Sequence, residues 1–387
     1  MGKTIVLGQT GISVAPYFIP PSAAQFDSGQ LEAIRQIETT PRNFFVTGGA
    51  GCGKTTTIRA LCGDDPVVLT VDTFLKHKPW RDYGEQVAMQ KVLAPKTLMN
   101  ADRIILEEIG QWTGANLELL NIAMMRSMRS PLPFGGIQMV AVGDLGQLPP
   151  IDGDTVDNHP IWQTFNPVVI SLKTLYRQDD EDFLLFLGDL REAITTRQPL
   201  KPWAAAFLDY NLSVDSGHRS RPESGDFLGV TMTRAESARQ NKLHIDDDEE
   251  CFVDGDLVLP LGCPVQVTWN VWKDHRLELI NGQFGTLVDT NPPTVDVDGK
   301  EHVIEHLLVK ENGKGKPKKV FPLECAYYTR LHRLQGQTVE KRLHIIFDSI
   351  ASFDLRAIYV GISRCRDWRR LSVENMNSHL FAHLVSQ

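Results

Sequence analysis

The stretch from Phe44 to Thr57, FFVTGGAGCGKTTT, constrains this chain more than any other. Gly48, Gly53, Lys54 and Thr55 fill the pattern G-x-x-x-x-G-K-[ST], in which backbone N–H groups at a helix N-terminus surround a phosphate. Gly49 and Gly51 add freedom where a Cβ would hold the backbone off an anion. Apolar Phe44, Phe45 and Val46 read as a short buried strand, and Thr56 to Leu61 as the start of a helix. Strand, loop and helix in that order are the context the motif needs. Gly48, Gly49, Ala50, Gly51, Cys52, Gly53, Lys54, Thr55 and Thr56 are therefore the candidate phosphate-binding segment. In it Lys54 supplies a point charge and the Thr55 hydroxyl reaches Mg²⁺. Cys52, inside the loop at a helix N-terminus, is expected to be a reactive thiol.

The 387 residues are enough for two domains and an insertion. Lys and Arg number 40 against 48 Asp and Glu, a formal charge of -8, so a polyanion would have to be held by a local basic groove. The six cysteines form no C-x-x-C pair and no zinc spacing, which fits reduced thiols. No apolar run approaches the ~20 residues that span a bilayer, and no signal-peptide pattern opens the chain. The expected setting is cytoplasmic, or a nucleoid or viral replication site, with no membrane partner and no secretion.

Residues 1–26 carry a strand-like TIVL and a Pro-rich stretch, and read as an irregular N-terminal arm. Asp27 or Ser28 can cap a helix with Leu31, Ile34 and Ile37 on one face. Gln30 in that helix is either a solvated residue or, through its amide donor and acceptor, a reader of an adenine edge. VVLTV (67–71) is a second strand. Residues 76–98 read as a small hairpin-like excursion, in which Trp80 among basic residues suits either stacking on single-stranded nucleic acid or an ordinary solvated loop. RIILEEI is a third strand ending in Glu107 and Glu108, placed where open α/β sheets bind ligands. One carboxylate can serve a Mg²⁺ shell and the other can orient water. A helix over 115–129 leads to the strand QMVAV and the loop GDLGQLPP, where Gln147 is a candidate sensor of the terminal phosphate.

The order GGAGCGKT, LEEI, GDLGQLPP, LKTLYRQDD, TRLHRLQGQT and YVGISR resembles the superfamily 1 DNA helicases of the RecD, Dda and PIF type, over roughly residues 27 to 375. The resemblance implies an α/β fold of two RecA-like P-loop NTPase domains with mostly parallel sheets, binding ATP between them and single-stranded DNA across their tops. The first would span 27–165 and the second 166–387, opening with the strand VVISL. Short strands with turn signals over 251–323 argue a small β-barrel insert, Src-homology-3-like as in this family. LHIIFD and AIYVGIS would finish the second sheet as strands.

By motif matching, Gln30 would contact adenine, Lys54 and Thr55 the phosphates and Mg²⁺, Glu107 the metal shell, Glu108 the attacking water, and Gln147 the terminal phosphate. Arg177 and Arg364 would act as arginine fingers, and Gly336 would let backbone approach the nucleotide site. Thr73, Trp80, Thr233, Asn241, Thr329, His332 and Arg333 would line the DNA path. For Thr233 and Asn241, a helix cap and a surface amide stand equally open. Implied partners are single-stranded DNA, DNA junctions and replication or recombination proteins, with the chain a monomer.

Three departures matter. Glu107 stands where the family usually has an aspartate. The family's usual βα unit between the P-loop helix and the stretch matching TVDTFL is missing or collapsed here, and Asp72 replaces the histidine of that stretch. A 5′ to 3′ translocating helicase is the first expectation. An ATP-gated DNA clamp or loader that hydrolyses without unwinding is the alternative, favoured by the shortened first domain.

Overall fold

The computed structural model describes residues 4–8, 26–62, 67–70, 96–150, 153–178, 180–214, 227–245, 249–273, 276–279, 281–309, 317–335, 338–347 and 355–375. Two compact units, Met1–Arg177 and Gln178–Gln387, divide the chain.

The first unit is built on strands β1 (Thr4–Gly8), β2 (Phe44–Gly48), β3 (Val67–Thr70), β4 (Arg103–Leu106), β5 (Gln138–Gly143) and β6 (Val168–Leu172). Their spatial order is β3-β1-β4-β5-β2-β6, and all five pairings are parallel. Around them lie helices α1 (Ser28–Thr39), α2 (Lys54–Cys62), α3 (Lys96–Met99), α4 (Gly114–Met128) and α5 (Ile161–Phe165). Strand alternation sends Phe44, Val46, Ile105, Val140 and Val142 to one core with Ala33, Ile37, Ile58 and Leu61 of α1 and α2. Phe45, Ile104, Leu106, Met139 and Ala141 go to the other, with Leu117, Leu120 and Met124 of α4. Both faces of the sheet are thus covered, as a parallel sheet requires.

Two expectations are corrected here. The TIVL segment is not part of an arm. It is an interior strand, with Ile5 opposite Val67 on one side and Ile104 on the other. β3 pairs only with β1 among the described residues, so the N-terminal strand joins β3 to the sheet and fills a position that chain order would give to a strand after α2. VVISL does not open the second unit either, because Phe44 to Gly48 pair with Val168 to Leu172 in the first sheet.

The second unit opens with α6 (Glu181–Thr196), capped by Asp180, and α7 (Pro202–Phe207). Its sheet combines β7 (Phe227–Thr231) with three later strands, and α8 (Arg234–Lys242) follows β7. Between them lies an antiparallel insert. Its strands are β8 (Cys251–Asp254), β9 (Leu257–Pro260), β10 (Pro264–Val267), β11 (Val271–Lys273), β12 (Arg276–Leu279), β13 (Phe284–Thr290), β14 (Pro293–Val297), β15 (Lys300–Val303), β16 (Leu307–Val309), β17 (Lys318–Val320) and β18 (Leu323–Cys325). Five of these form one sheet, β15-β14-β13-β10-β18, over a core that includes Val265, Leu287, Val295 and Leu323. The chain then returns through β19 (Tyr328–Arg330), β20 (Arg342–Ile346), helix α9 (Leu355–Ile362) and β21 (Leu371–Glu374), giving the parallel order β19-β7-β20-β21.

AIYVGIS, expected as a strand, is largely α9, with Ala357 to Ile362 all buried. A short apolar run does not distinguish a buried strand from a helix buried all round. Gly361 permits the close approach of α9 to β20, since a Cβ there would stand 2.8 Å from Ile345 Cδ1.

Deleting residues 1–8 removes the ladder on both sides of β1. At ~0.5–1.5 kcal/mol net per hydrogen bond, the loss should lower the Tm by more than about 10 °C. A truncated chain that melts with the full chain in calorimetry would show that β1 is not part of the sheet.

Candidate functional site

The four strands β1, β2, β4 and β5 run in parallel, so their carboxyl ends share one edge of the first sheet. β2 delivers the glycine loop to that edge. Gly51, at φ 82°, lies so close to Arg177 that a Cβ would stand 2.5 Å from the arginine's own Cβ, and Gly51 O accepts from Tyr176 N at 3.0 Å. Lys54 Nζ donates to Gly48 O at 2.8 Å and Gly49 O at 2.9 Å, which holds the ammonium across the loop. The side chain of Cys52 is directed into the core and is 1% exposed. That corrects its expected reactivity, which needs solvent access as well as a helix N-terminus.

Gln30 is also buried. Its Nε2 donates to Gly53 O at 3.2 Å, and its Oε1 accepts from Asp27 N at 3.0 Å. Asp27 in turn accepts from Gln30 N at 2.7 Å, completing a capping box. Tyr176, which sequence reasoning passed over, is exposed beside this loop and donates its hydroxyl to Asp27 Oδ2 at 2.5 Å. That bond, followed by the Gln30 N–H, holds the Asp27 carboxyl below its ordinary range.

β4 ends at Leu106, and Glu107 follows, 6% exposed. Glu108 adopts the left-handed conformation, φ 47° and ψ 49°, so the chain turns there and the usual alternation of strand side chains is broken. The indole of Trp112 secures the turn by donating to Glu107 O at 3.0 Å. Burial first, and then the Glu107 carboxylate, push the Cys62 thiol at the end of α2 up to about 12. The β5 loop packs directly on the same turn. A Cβ on Gly143 would stand 2.9 Å from Ile109 N, and one on Gly110 would stand 2.9 Å from Asp144 O. Asp144 and Gln147 are both buried here, and Gln147 Oε1 has no hydrogen bond among the described residues. Thr55 and Glu107 are hard oxygen donors of the kind Mg²⁺ takes, and a buried carboxylate at the sheet edge that bears the glycine loop fits such an ion.

In the second unit Arg364 is 1% exposed, with Nε donating to Val360 O at 2.9 Å and Nη2 to Ser363 Oγ at 2.9 Å. Thr233 caps α8 by accepting from Glu236 N at 3.2 Å, which is its plain structural reading. Asn241 is not a surface amide. It is buried, donates to Cys325 O and Tyr328 O, and accepts from Tyr328 N. Thr329 is likewise 1% exposed. Its hydroxyl and the Arg333 guanidinium converge on Gln266 Oε1 at 2.7 and 2.8 Å, while Arg333 also pairs with Glu324. Gln266, absent from the sequence reading, thereby ties β10 of the insert to β19 of the core sheet. His332 is exposed. Thr73, Trp80 and Gly336 lie outside the described residues, as do most of the 76–98 excursion and the TVDTFL stretch beyond Thr70.

A doubly covered parallel sheet with a glycine phosphate loop after one strand and a turned carboxylate pair after another defines the first unit as a P-loop α/β fold. Comparison along most of the chain finds it similar to proteins named as Pif1 helicases. It is 25% identical over 424 residues to "ATP-dependent DNA helicase Pif1" of Bdellovibrio bacteriovorus, covering 96% of this chain and 93% of the relative. It is 24% identical to human "ATP-dependent DNA helicase PIF1", covering 92% of this chain and 62% of that protein. Among solved structures, Pif1 from Candida albicans aligns with TM-score 0.70 at 22% identity, over 91% of this chain and 94% of the other. Bacteroides Pif1 bound to single-stranded DNA aligns with TM-score 0.66 at 20% identity, over 92% and 93%. No family model matches. Among the described residues no helix is long and apolar enough to cross a membrane.

Gly143→Ala should cost about 1–3 kcal/mol by forcing the two loops apart, and it should weaken nucleotide binding together with Tm. Calorimetry and binding of a fluorescent ADP analogue check this; an unchanged Tm would show that the loops are not packed as described.

Proposed function

We propose that the chain is an ATP-dependent DNA helicase that couples hydrolysis at the glycine-loop site to 5′ to 3′ movement on single-stranded DNA. The observation that carries the reading is the turn at Glu108. It frees the two adjacent carboxylates from opposite faces of a strand and sets them at the sheet edge that bears the glycine loop. The names of the relatives and the DNA-bound structural neighbour support the substrate. The role of β1 as an interior strand weakens the clamp reading, which rested on a shortened first domain.

In this mechanism Lys54 exchanges its bonds to Gly48 O and Gly49 O for terminal phosphate oxygens. Gln30 reads adenine by exchanging a partner of its buried amide. Thr55 and Glu107 would hold Mg²⁺, which when bound would supply positive charge to the phosphate oxygens. Glu108 orients and deprotonates the attacking water, and Gln147 offers its buried amide to the terminal phosphate. Arg177 and Arg364 neutralise charge developing on the transferring phosphoryl group, a contribution worth ~10³–10⁵ in rate. Arg364 must turn outward from α9 to do so. His332 faces the DNA phosphates, and Thr233, Asn241, Thr329 and Arg333 act by holding that surface in shape.

Lys54→Ala and Arg364→Ala should each reduce DNA-stimulated hydrolysis by at least ~10³-fold. Glu108→Gln should still bind ATP and hold DNA in a stalled complex, whereas Glu107→Gln should raise the Mg²⁺ requirement. If Glu108→Gln hydrolyses normally and Glu107→Gln traps DNA, the two roles are exchanged. Strand displacement on forked, 5′-tailed and 3′-tailed duplexes tests the activity itself. Hydrolysis without displacement of any of the three would favour the clamp, and displacement confined to 3′ tails would refute the polarity.

A further inference from the structure

Arg364 sits on a turn that is gripped from a distant part of the sequence. Gln178, 2% exposed, directs its Nε2 to Ser363 O at 3.2 Å and to Cys365 O at 3.1 Å. These are the carbonyls on either side of Arg364, so both amide protons are spent on the backbone that carries the guanidinium. Two residues on, Asp180 Oδ2 accepts from Trp368 Nε1 at 3.2 Å and pairs with Arg369 at 3.0 Å. Val339 N also donates to Arg364 O at 2.9 Å. The start of the second unit is therefore stapled along residues 363–369. Gln178 Oε1 has no hydrogen bond among the described residues, although a buried acceptor is normally satisfied. Replacing the amide by an apolar side chain would take this donor from both Ser363 O and Cys365 O.

We propose that Gln178 is a positioning residue for Arg364. It fixes the turn that carries this arginine. The proposal rests on the reading of the chain as a DNA-stimulated ATPase.

The test compares full-length wild type, Gln178→Leu, Arg364→Ala and the double variant. The readouts are kcat and KM for ATP with saturating single-stranded DNA, and affinity for a fluorescent ADP analogue. Misplacing a reacting group by about 1 Å costs on the order of 10²-fold, so Gln178→Leu should lower kcat by roughly 10- to 100-fold. KM and ADP affinity should stay within about threefold, because the glycine loop is untouched. In the Arg364→Ala background Gln178→Leu should cause no further loss, since residues acting as a unit are non-additive. A kcat within about twofold of wild type, a rise in KM with kcat held, or losses that multiply in the double variant would each overturn the assignment. Should Gln178→Leu fail to fold, Gln178→Asn decides by the same criteria, because it keeps the amide and withdraws it by one methylene. A wild-type chain without DNA-stimulated hydrolysis would overturn the functional reading and the positioning role together. Normal wild-type hydrolysis with an unaffected variant overturns only the role.

Discussion

The site in the first unit depends on a contact between two pieces of backbone. Glu108 can turn in the left-handed region, at a cost of about 1–3 kcal/mol for a non-glycine residue, because the β5 loop braces the turn from below. The bracing requires that positions 110 and 143 lack a Cβ, since each would stand 2.9 Å from the opposite backbone. Buried Glu107, Asp144 and Gln147 are then ordered by main-chain packing rather than by long side chains. The glycine loop obeys the same logic against Arg177. Both loops trade side-chain volume for proximity, and the charged groups inherit their positions from that trade.

The elements of this edge were legible because their backbone requirements are written as residue types. Glycines at fixed spacing before Lys54 announce a loop that surrounds phosphate, and an apolar run ending in two glutamates announces a strand end. What escaped notice was information held in three dimensions. Five residues of TIVLG carry no signal of which strands they will join, and their place between β3 and β4 is decided by residues far along the chain. VVISL has the composition of any buried strand, and only its pairing with β2 assigns it to the first unit. AIYVGIS reads as a strand because its β-branched and aromatic residues favour one, yet tertiary burial on all sides makes it a helix.

Polar residues of the second unit show a related limit. Asn241, Thr329 and Arg333 have the chemistry of phosphate or base contacts, but the structure employs them against Tyr328, Gln266 and Glu324. Gln266, with no motif to mark it, collects two of those bonds and donates a third to Gly282 O. A glutamine with both ends of its amide used inside the protein serves as a joint between insert and core. Removing it would strand several buried donors and acceptors at once, which explains why such amides are costly to replace.

The place of β1 bears on how the chain is made. During synthesis Thr4–Gly8 emerges before its partners, and Val67–Thr70 and Arg103–Leu106 follow only after the glycine loop and α2. A parallel strand cannot close on its neighbour locally, and pairings of large sequence separation form slowly. The nascent first unit therefore passes through a stage in which β2, α1 and α2 have emerged while the two ladders of β1 have not formed. An unpaired strand is a template for unwanted association at that stage. That exposure ends only when residues 103–106 are free to pair with β1.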